Sequence, residues 1–258
     1  MSQRSGYDPG VPCWVDISST DVEASARFYG EIFGWRADMS DDPAAGGYGM
    51  FVLDGRRVAG LGPVMDGRRT SSWNTYVATH DAAALAGRVA NAGGTVLMEA
   101  MPIFEDGVMT AFTAPDGSYA AAWQARGHRG AELVNEPGSF CWNELLSTDV
   151  PAAERFYSEV FGWTPLLQDL QGMKYTEWQA GGLGVAGMME MASDYPAGTP
   201  SFWMPYFAVA DLEAATDTAE QAGAQILVRT MQAPPGPFTM LIDPHGAPLS
   251  IIQLHETS

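Results

Sequence analysis

The segment CWVDISSTDVEASARFYGEIFGW at 13–35 recurs as CWNELLSTDVPAAERFYSEVFGW at 141–163, with fourteen identities. A repeat this close restricts the chain to one folding unit written twice. Further along, WNTYVATHD (73–81) answers WMPYFAVAD (203–211), and TAPDGSYAAAW (113–123) answers IDPHGAPLSII (242–252). A chain of 258 residues gives each copy an ordinary domain size and enough length to bury its own core. The expected division is a first domain at 1–127, a glycine-containing, charged linker at 128–138, and a second domain at 139–258.

A fainter repeat lies inside each half. A β-rich apolar run at 13–19 leads into Thr20-Asp21-Val22-Glu23, a capping pattern, and then into a helix with an apolar stripe through Val22, Ala26, Phe28, Tyr29, Ile32 and Phe33. Gly34 ends it. Strand-like runs at 48–53 and 57–64 flank the turn Asp54-Gly55. A further strand at 74–79 passes through Asp81 into an alanine-rich helix at 82–92, and three more strand candidates run to Trp123. Each half therefore reads β-α-β-β-β twice. Four such modules predict an α+β protein whose curved mixed sheets are covered by helices on their outer faces.

Composition excludes several classes of partner. Thirty-one acidic residues against 13 basic ones give a formal charge of −18, and the arginines are scattered along the sequence, so nucleic acid and anionic membranes are poor partners. No apolar run is long enough to span a bilayer. The first residues carry no apolar signal core, and a cytoplasmic location is expected. Cys13 and Cys141 have no CxxC partner and read as free thiols in matched positions. There is no phosphate-binding glycine loop and no G-x-S-x-G nucleophile turn.

The pattern W-x-[DE]-x-x-S-T-D-V-x-A-x-R-F-Y-x-x-[IV]-F-G-W, closed near each domain end by [AD]-P-[DH]-G before a last strand, resembles the vicinal oxygen chelate superfamily. That group includes glyoxalase I, extradiol dioxygenases and bleomycin-resistance proteins. The resemblance extends to its duplicated, two-domain actinobacterial branch, whose members carry hydroxylase or glyoxalase-like labels. It implies that paired βαβββ modules form a cup in which metal-dependent members hold a divalent ion with His, Gln or Glu side chains.

At the positions the resemblance marks for those ligands, this chain has Trp14 and Trp142 on the opening strands, Thr75 and Pro205 on the second modules' first strands, and Ala121 and Ser250 on the closing strands. The remaining position falls near Gly60 and Gly187. Divalent ions need several O, N or S donors converging at about 2 Å, and these side chains do not provide them. The expectation is a cup without metal or other cofactor. The four histidines do not restore a ligand set, since His128 falls in the linker, His255 near the tail, and His80 and His245 at turns.

Alternation along a strand puts Asp16 on the face of Trp14, Glu144 on that of Trp142, Trp123 on that of Ala121, and Ile252 on that of Ser250. Asp16 and Glu144 are the candidate bases, because a carboxyl shielded by aromatic rings exchanges protons near neutrality; an ion pair with Arg27 or Arg155 is the plainer alternative. Candidate ligand contacts are Trp14, Thr75, Trp123, Trp142, Phe207, Ser250 and Ile252, with core packing as the competing role for the tryptophans. The methionines, including Met98, Met101, Met109, Met188, Met189 and Met191, either fill irregular core or line an adaptable apolar pocket. Three functions stay open: metal-free binding of an apolar or aromatic small molecule in natural-product metabolism or resistance, a tailoring enzyme with a cup carboxylate as base, and a metalloenzyme with relocated ligands. A covalent tandem completes its own module pairing, so a monomeric pseudo-dimer is expected.

Overall fold

The computed structural model describes residues 3–65, 67, 69–170, 172–192, 195 and 198–255. In the first half, strand β1 (Pro12–Ser19) is followed by helix α1 (Val22–Phe33) and strands β2 (Arg36–Met39), β3 (Gly49–Leu53) and β4 (Arg56–Pro63). The second module has β5 (Ser72–Ala78), α2 (Ala82–Asn91), β6 (Thr95–Ile103), β7 (Gly107–Thr113) and β8 (Tyr119–Ala125). The second half repeats this order as β9 (Ser139–Ser147), α3 (Val150–Phe161), β10 (Thr164–Leu170), β11 (Met173–Ala180) and β12 (Leu183–Glu190), then β13 (Phe202–Ala208), α4 (Leu212–Gln221), β14 (Gln225–Ala233), β15 (Gly236–Ile242) and β16 (Pro248–Ile252). Strand β2, which the sequence pattern did not separate from the end of its helix, is short and mostly exposed.

Local chemistry explains the boundaries. Asp21 accepts a hydrogen bond from the Ala24 amide (2.9 Å), which satisfies one of the unpaired N–H groups at the start of α1, and Asp149 does the same for Ala152 (3.0 Å) at the start of α3. Gly34 and Gly162 end these helices at φ 72°, a left-handed conformation that glycine adopts without a side-chain penalty. Asp54 and Gly55 both have positive φ (49° and 77°), as a tight hairpin between β3 and β4 requires.

Each half forms one eight-stranded mixed sheet, in the orders β2-β3-β4-β1-β5-β8-β7-β6 and β10-β11-β12-β9-β13-β16-β15-β14. The two opening strands of a half lie side by side and antiparallel at the centre, with Asp16 opposite Asn74 and Glu144 opposite Met204. One face of each sheet turns toward the other half. Helix α1 packs on α4 and α2 on α3, and β5 approaches β13, so the helix-bearing faces share their cores across the two halves.

Aromatic side chains dominate this shared core. Tyr29 sits among Phe28, Phe33, Trp35, Phe51 and Trp73, and Tyr157 among Phe156, Phe161, Trp163, Trp178 and Trp203. The polar ends of these rings are satisfied across the junction. Tyr29 donates to Asp243 (2.8 Å), Trp35 donates to the Gly138 carbonyl (2.7 Å), and Trp163 donates to the Gly10 carbonyl (2.6 Å). The single chain thus contains its own pseudo-dimer interface.

Two expected cup residues belong here. Thr75 lies opposite Val15 and donates to Asn143 Oδ1 (3.0 Å) in the other half, and Phe207 is fully buried against Phe33, Trp35 and Trp73. Both expectations are corrected by one register step: adjacent strand residues face opposite ways, so the cup receives Asn74 and Tyr76 from β5, and Met204 and Tyr206 from β13. No helix among the described residues is long and apolar enough to cross a membrane.

Candidate functional site

The concave face of each sheet carries the same constellation. In the first half, Asp16 on β1 is 5 % exposed and accepts hydrogen bonds from Asn74 Nδ2 (2.7 Å), the Tyr76 hydroxyl (2.7 Å) and the Tyr48 hydroxyl (3.0 Å). Trp14, two residues earlier, donates its indole N–H to the Tyr48 oxygen (3.2 Å). In the second half, Glu144 on β9 accepts from the Tyr206 hydroxyl (3.0 Å) and is also hydrogen-bonded to the Tyr175 hydroxyl, while Trp142 donates to Tyr175 (3.1 Å). Among the described residues, neither carboxylate forms the arginine ion pair that was the plainer alternative.

Two glycines make room for the tyrosines. Gly60 stands opposite Asp16 in the register and Gly187 opposite Glu144, and a Cβ on either would overlap the Tyr48 or Tyr175 hydroxyl. Each glycine is a cradle for a phenol.

Burial disfavours the charged form of both acids. It pushes Glu144 up to about 7, against the opposing pull of hydrogen bonds from Tyr206 and Tyr175. Asp16 is raised for the same reason, with Asn74, Tyr76 and Tyr48 pulling it back. Burial and the nearby carboxylates keep Tyr48, Tyr76, Tyr175 and Tyr206 protonated, so they act as donors.

The two cups differ around this shared centre. In the first, the linker folds back: His128, expected only to connect the halves, is buried with its ring 4.4 Å from that of Trp14, and its carbonyl accepts from the Trp123 indole (2.8 Å). Trp14 and Trp123 are consequently buried. In the second cup Trp142 and Tyr175 stay half-buried, beside an apolar wall of Leu146, Met189, Met191, Met204 and Phe238. Ser250 Oγ approaches Met204 Sδ (3.6 Å), and Ile252 lies in the same cluster, as the alternation of β16 predicted. Asn74 in the first cup is replaced by Met204 in the second, which makes the second more apolar.

The methionines divide accordingly. Met188 is in the core shared between the halves, whereas Met189 and Met191 border the second cup. Cys13 and Cys141 are free thiols, and each lies against the carbonyl of a cup tyrosine, Tyr76 (3.5 Å) and Tyr206 (3.3 Å).

A metal ion at the family position does not fit these residues. On the cup face, at or next to the positions the resemblance marks, stand Trp14, Gly60, Asn74 and Ala121 in one half and Trp142, Gly187, Met204 and Ser250 in the other. The nearest carboxylates already serve as acceptors for phenol and amide donors. Among the described residues, no three His, Cys, Asp or Glu side chains are grouped so that they could hold a metal ion.

Paired βαβββ modules, each pair closing one concave sheet with a polar centre, define a tandem glyoxalase-type protein. The chain belongs to the glyoxalase/bleomycin resistance protein/dioxygenase superfamily, whose family model matches residues 13–122 and 142–251. It is 39 % identical over 259 residues to the putative glyoxylase CFP32 of Mycobacterium tuberculosis, covering 98 % of both chains. It is 36 % identical over 264 residues to the anthracycline biosynthesis protein DnrV of Streptomyces peucetius, covering 97 % of this chain and 95 % of that protein. The fold also matches the Mn(II)-bound glyoxalase of Novosphingobium aromaticivorans, with a TM-score of 0.67 and 16 % identity over all of this chain and 85 % of the other.

The sequence pointed to both carboxylates and to the tryptophans beside them, and the structure adds four tyrosines hydrogen-bonded around them that it did not single out. A signal for them was present: Tyr76 and Tyr206 occupy matched places in the second repeat segment, WNTYVATHD and WMPYFAVAD. Tyr48 and Tyr175 are matched too, each twelve residues before the glycine of a Val-Ala-Gly triplet (Gly60 and Gly187), but only the sheet register brings them to the carboxylates.

Proposed function

We propose that the protein binds an apolar or aromatic small molecule in its second cup without a metal ion, in natural-product metabolism or resistance. The observation that carries this reading is the half-buried Trp142 and Tyr175 pair beside a methionine-rich wall, with Glu144 at the centre. An indole face and thioethers favour flat, polarisable ligands. A neutral Glu144 can donate to a ligand carbonyl and an ionised one can accept from a ligand hydroxyl. The likeness to an anthracycline biosynthesis protein supports an aromatic natural product as the ligand class.

Isothermal titration with a hydroxylated anthraquinone tests this reading. Saturable binding that weakens at least tenfold in Trp142→Ala supports it; absence of binding, or equal affinity in the variant, contradicts it.

A second reading rests on Glu144 itself. A carboxyl held near 7 can take a proton from an acidic ligand position at neutral pH, which is the behaviour of a general base in a tailoring enzyme. Turnover of a bound ligand that disappears in Glu144→Gln while affinity is retained favours catalysis over binding alone.

A further inference from the structure

Three arginines that take no part in either carboxylate–tyrosine constellation meet at one cavity. A cavity of about 450 Å³ is lined by Arg4, Arg56 and Arg129, with Glu132 as its one carboxylate. These arginines come from the N-terminal segment, the start of β4 and the linker, so their convergence is invisible in the sequence, where the arginines look scattered.

The walls are fixed by hydrogen bonds that do not consume the guanidinium charges. The Arg4 amide donates to the Glu132 carbonyl (3.0 Å), and the Glu132 amide donates to the Arg57 carbonyl (2.8 Å). The Glu132 carboxylate is engaged by the Arg57 backbone amide (2.8 Å). Arg129 Nη1 donates to the Ser5 carbonyl (3.2 Å), a neutral acceptor, and Arg4 lies over the Tyr7 ring. Among the described residues, salt bridges occur at Arg36 and Arg229, and none involves Arg4, Arg56 or Arg129. Among the described residues, three arginines thus meet at one cavity with no ion pair between them and a carboxylate, on a chain with 31 acidic residues.

We infer that this cavity is a binding site for a small multivalent oxyanion, either a phosphoryl group or a di- or tricarboxylate. Guanidinium groups recognise both through paired N–H donors, and their positive charge is fixed at all relevant pH values. The cavity is larger than a single phosphate needs, so it fits an anion carried on a metabolite or a pyrophosphate. The inference does not depend on the reading of the second cup.

The test is isothermal titration of the full chain with pyrophosphate and, separately, with citrate, in dilute buffer, since exposed charge pairs are screened by salt. Saturable binding of either probe that weakens at least tenfold in the double variant Arg56→Ala/Arg129→Ala supports the site. Preference for pyrophosphate then assigns the phosphoryl class, and preference for citrate the carboxylate class. Circular dichroism and the melting temperature of the variant verify that it is folded, and Arg36→Ala, on an arginine elsewhere, serves as the charge control. Absence of binding by the unaltered protein in dilute buffer, or equal affinity in the double variant and the unaltered protein, overturns the inference.

Discussion

Tyr206 donates its hydroxyl to the buried carboxyl of Glu144 over 3.0 Å, and its counterpart Tyr76 donates to Asp16 over 2.7 Å. This pairing occupies the centre of each cup and gives the predictions below their direction.

The first concerns pH. Because the folded protein holds Glu144 near 7 and the ordinary value is 4.5, the native state binds the proton more tightly than the unfolded chain does. Its contribution to stability is therefore fully present below about pH 4.5 and is lost as pH rises through about 7. Glu144→Gln, which keeps the shape of the protonated form, should gain stability relative to the unaltered protein on the order of 3 kcal/mol between pH 4.5 and 8. Urea denaturation across that range reads the difference, and a constant offset contradicts it.

Tyr206→Phe removes a donor that lowers the Glu144 value. The carboxyl should then titrate at higher pH, by NMR of the side-chain carbon. Stability above pH 8 should fall by about 1–3 kcal/mol, the usual cost of leaving a buried acceptor short of a partner. An unchanged titration is the contrary result.

Gly187→Ala places a methyl group where the Tyr175 hydroxyl lies. Displacement of that phenol should weaken ligand binding in the second cup and cost roughly 1–3 kcal/mol of stability, as overpacking usually does. Gly182→Ala is a poor control because Gly182 has φ 82°, whereas Gly87, on the exposed side of α2 with open space around it, should accept alanine with no loss. Equal melting temperatures for the Gly187 and Gly87 variants contradict the cradle.

Tyr29→Phe leaves Asp243 without a donor from the opposite half. The cost should be about 1–3 kcal/mol in chemical denaturation. Since both cores contain residues from both halves, the chain should still unfold in one transition. Two separated transitions contradict the shared core.

Much of the fold was legible because its signals are local. The duplicated 23-residue segment, the helix-start aspartates Asp21 and Asp149, and the helix-end glycines Gly34 and Gly162 each act within a few residues. Asp16 and Glu144 were legible as well, since alternation on one strand relates them to Trp14 and Trp142. What the sequence concealed is set by pairing between strands. Thr75 and Phe207 face the shared core and not the cup, because one residue of register exchanges the faces of a strand. Tyr48 and Tyr175 reach the carboxylates only through strand neighbours, and His128 reaches Trp14 only because the linker folds back onto the first sheet.

Whether the cup binds its ligand without metal is decided by elemental analysis of the purified, untagged protein after growth with Fe, Mn, Ni and Zn supplied. The cup-facing side chains of Trp142, Met204 and Ser250, with Gly187 beside them, predict a metal content near zero per chain. A ratio near one or two metal ions per chain contradicts metal-free binding and places the ligands elsewhere.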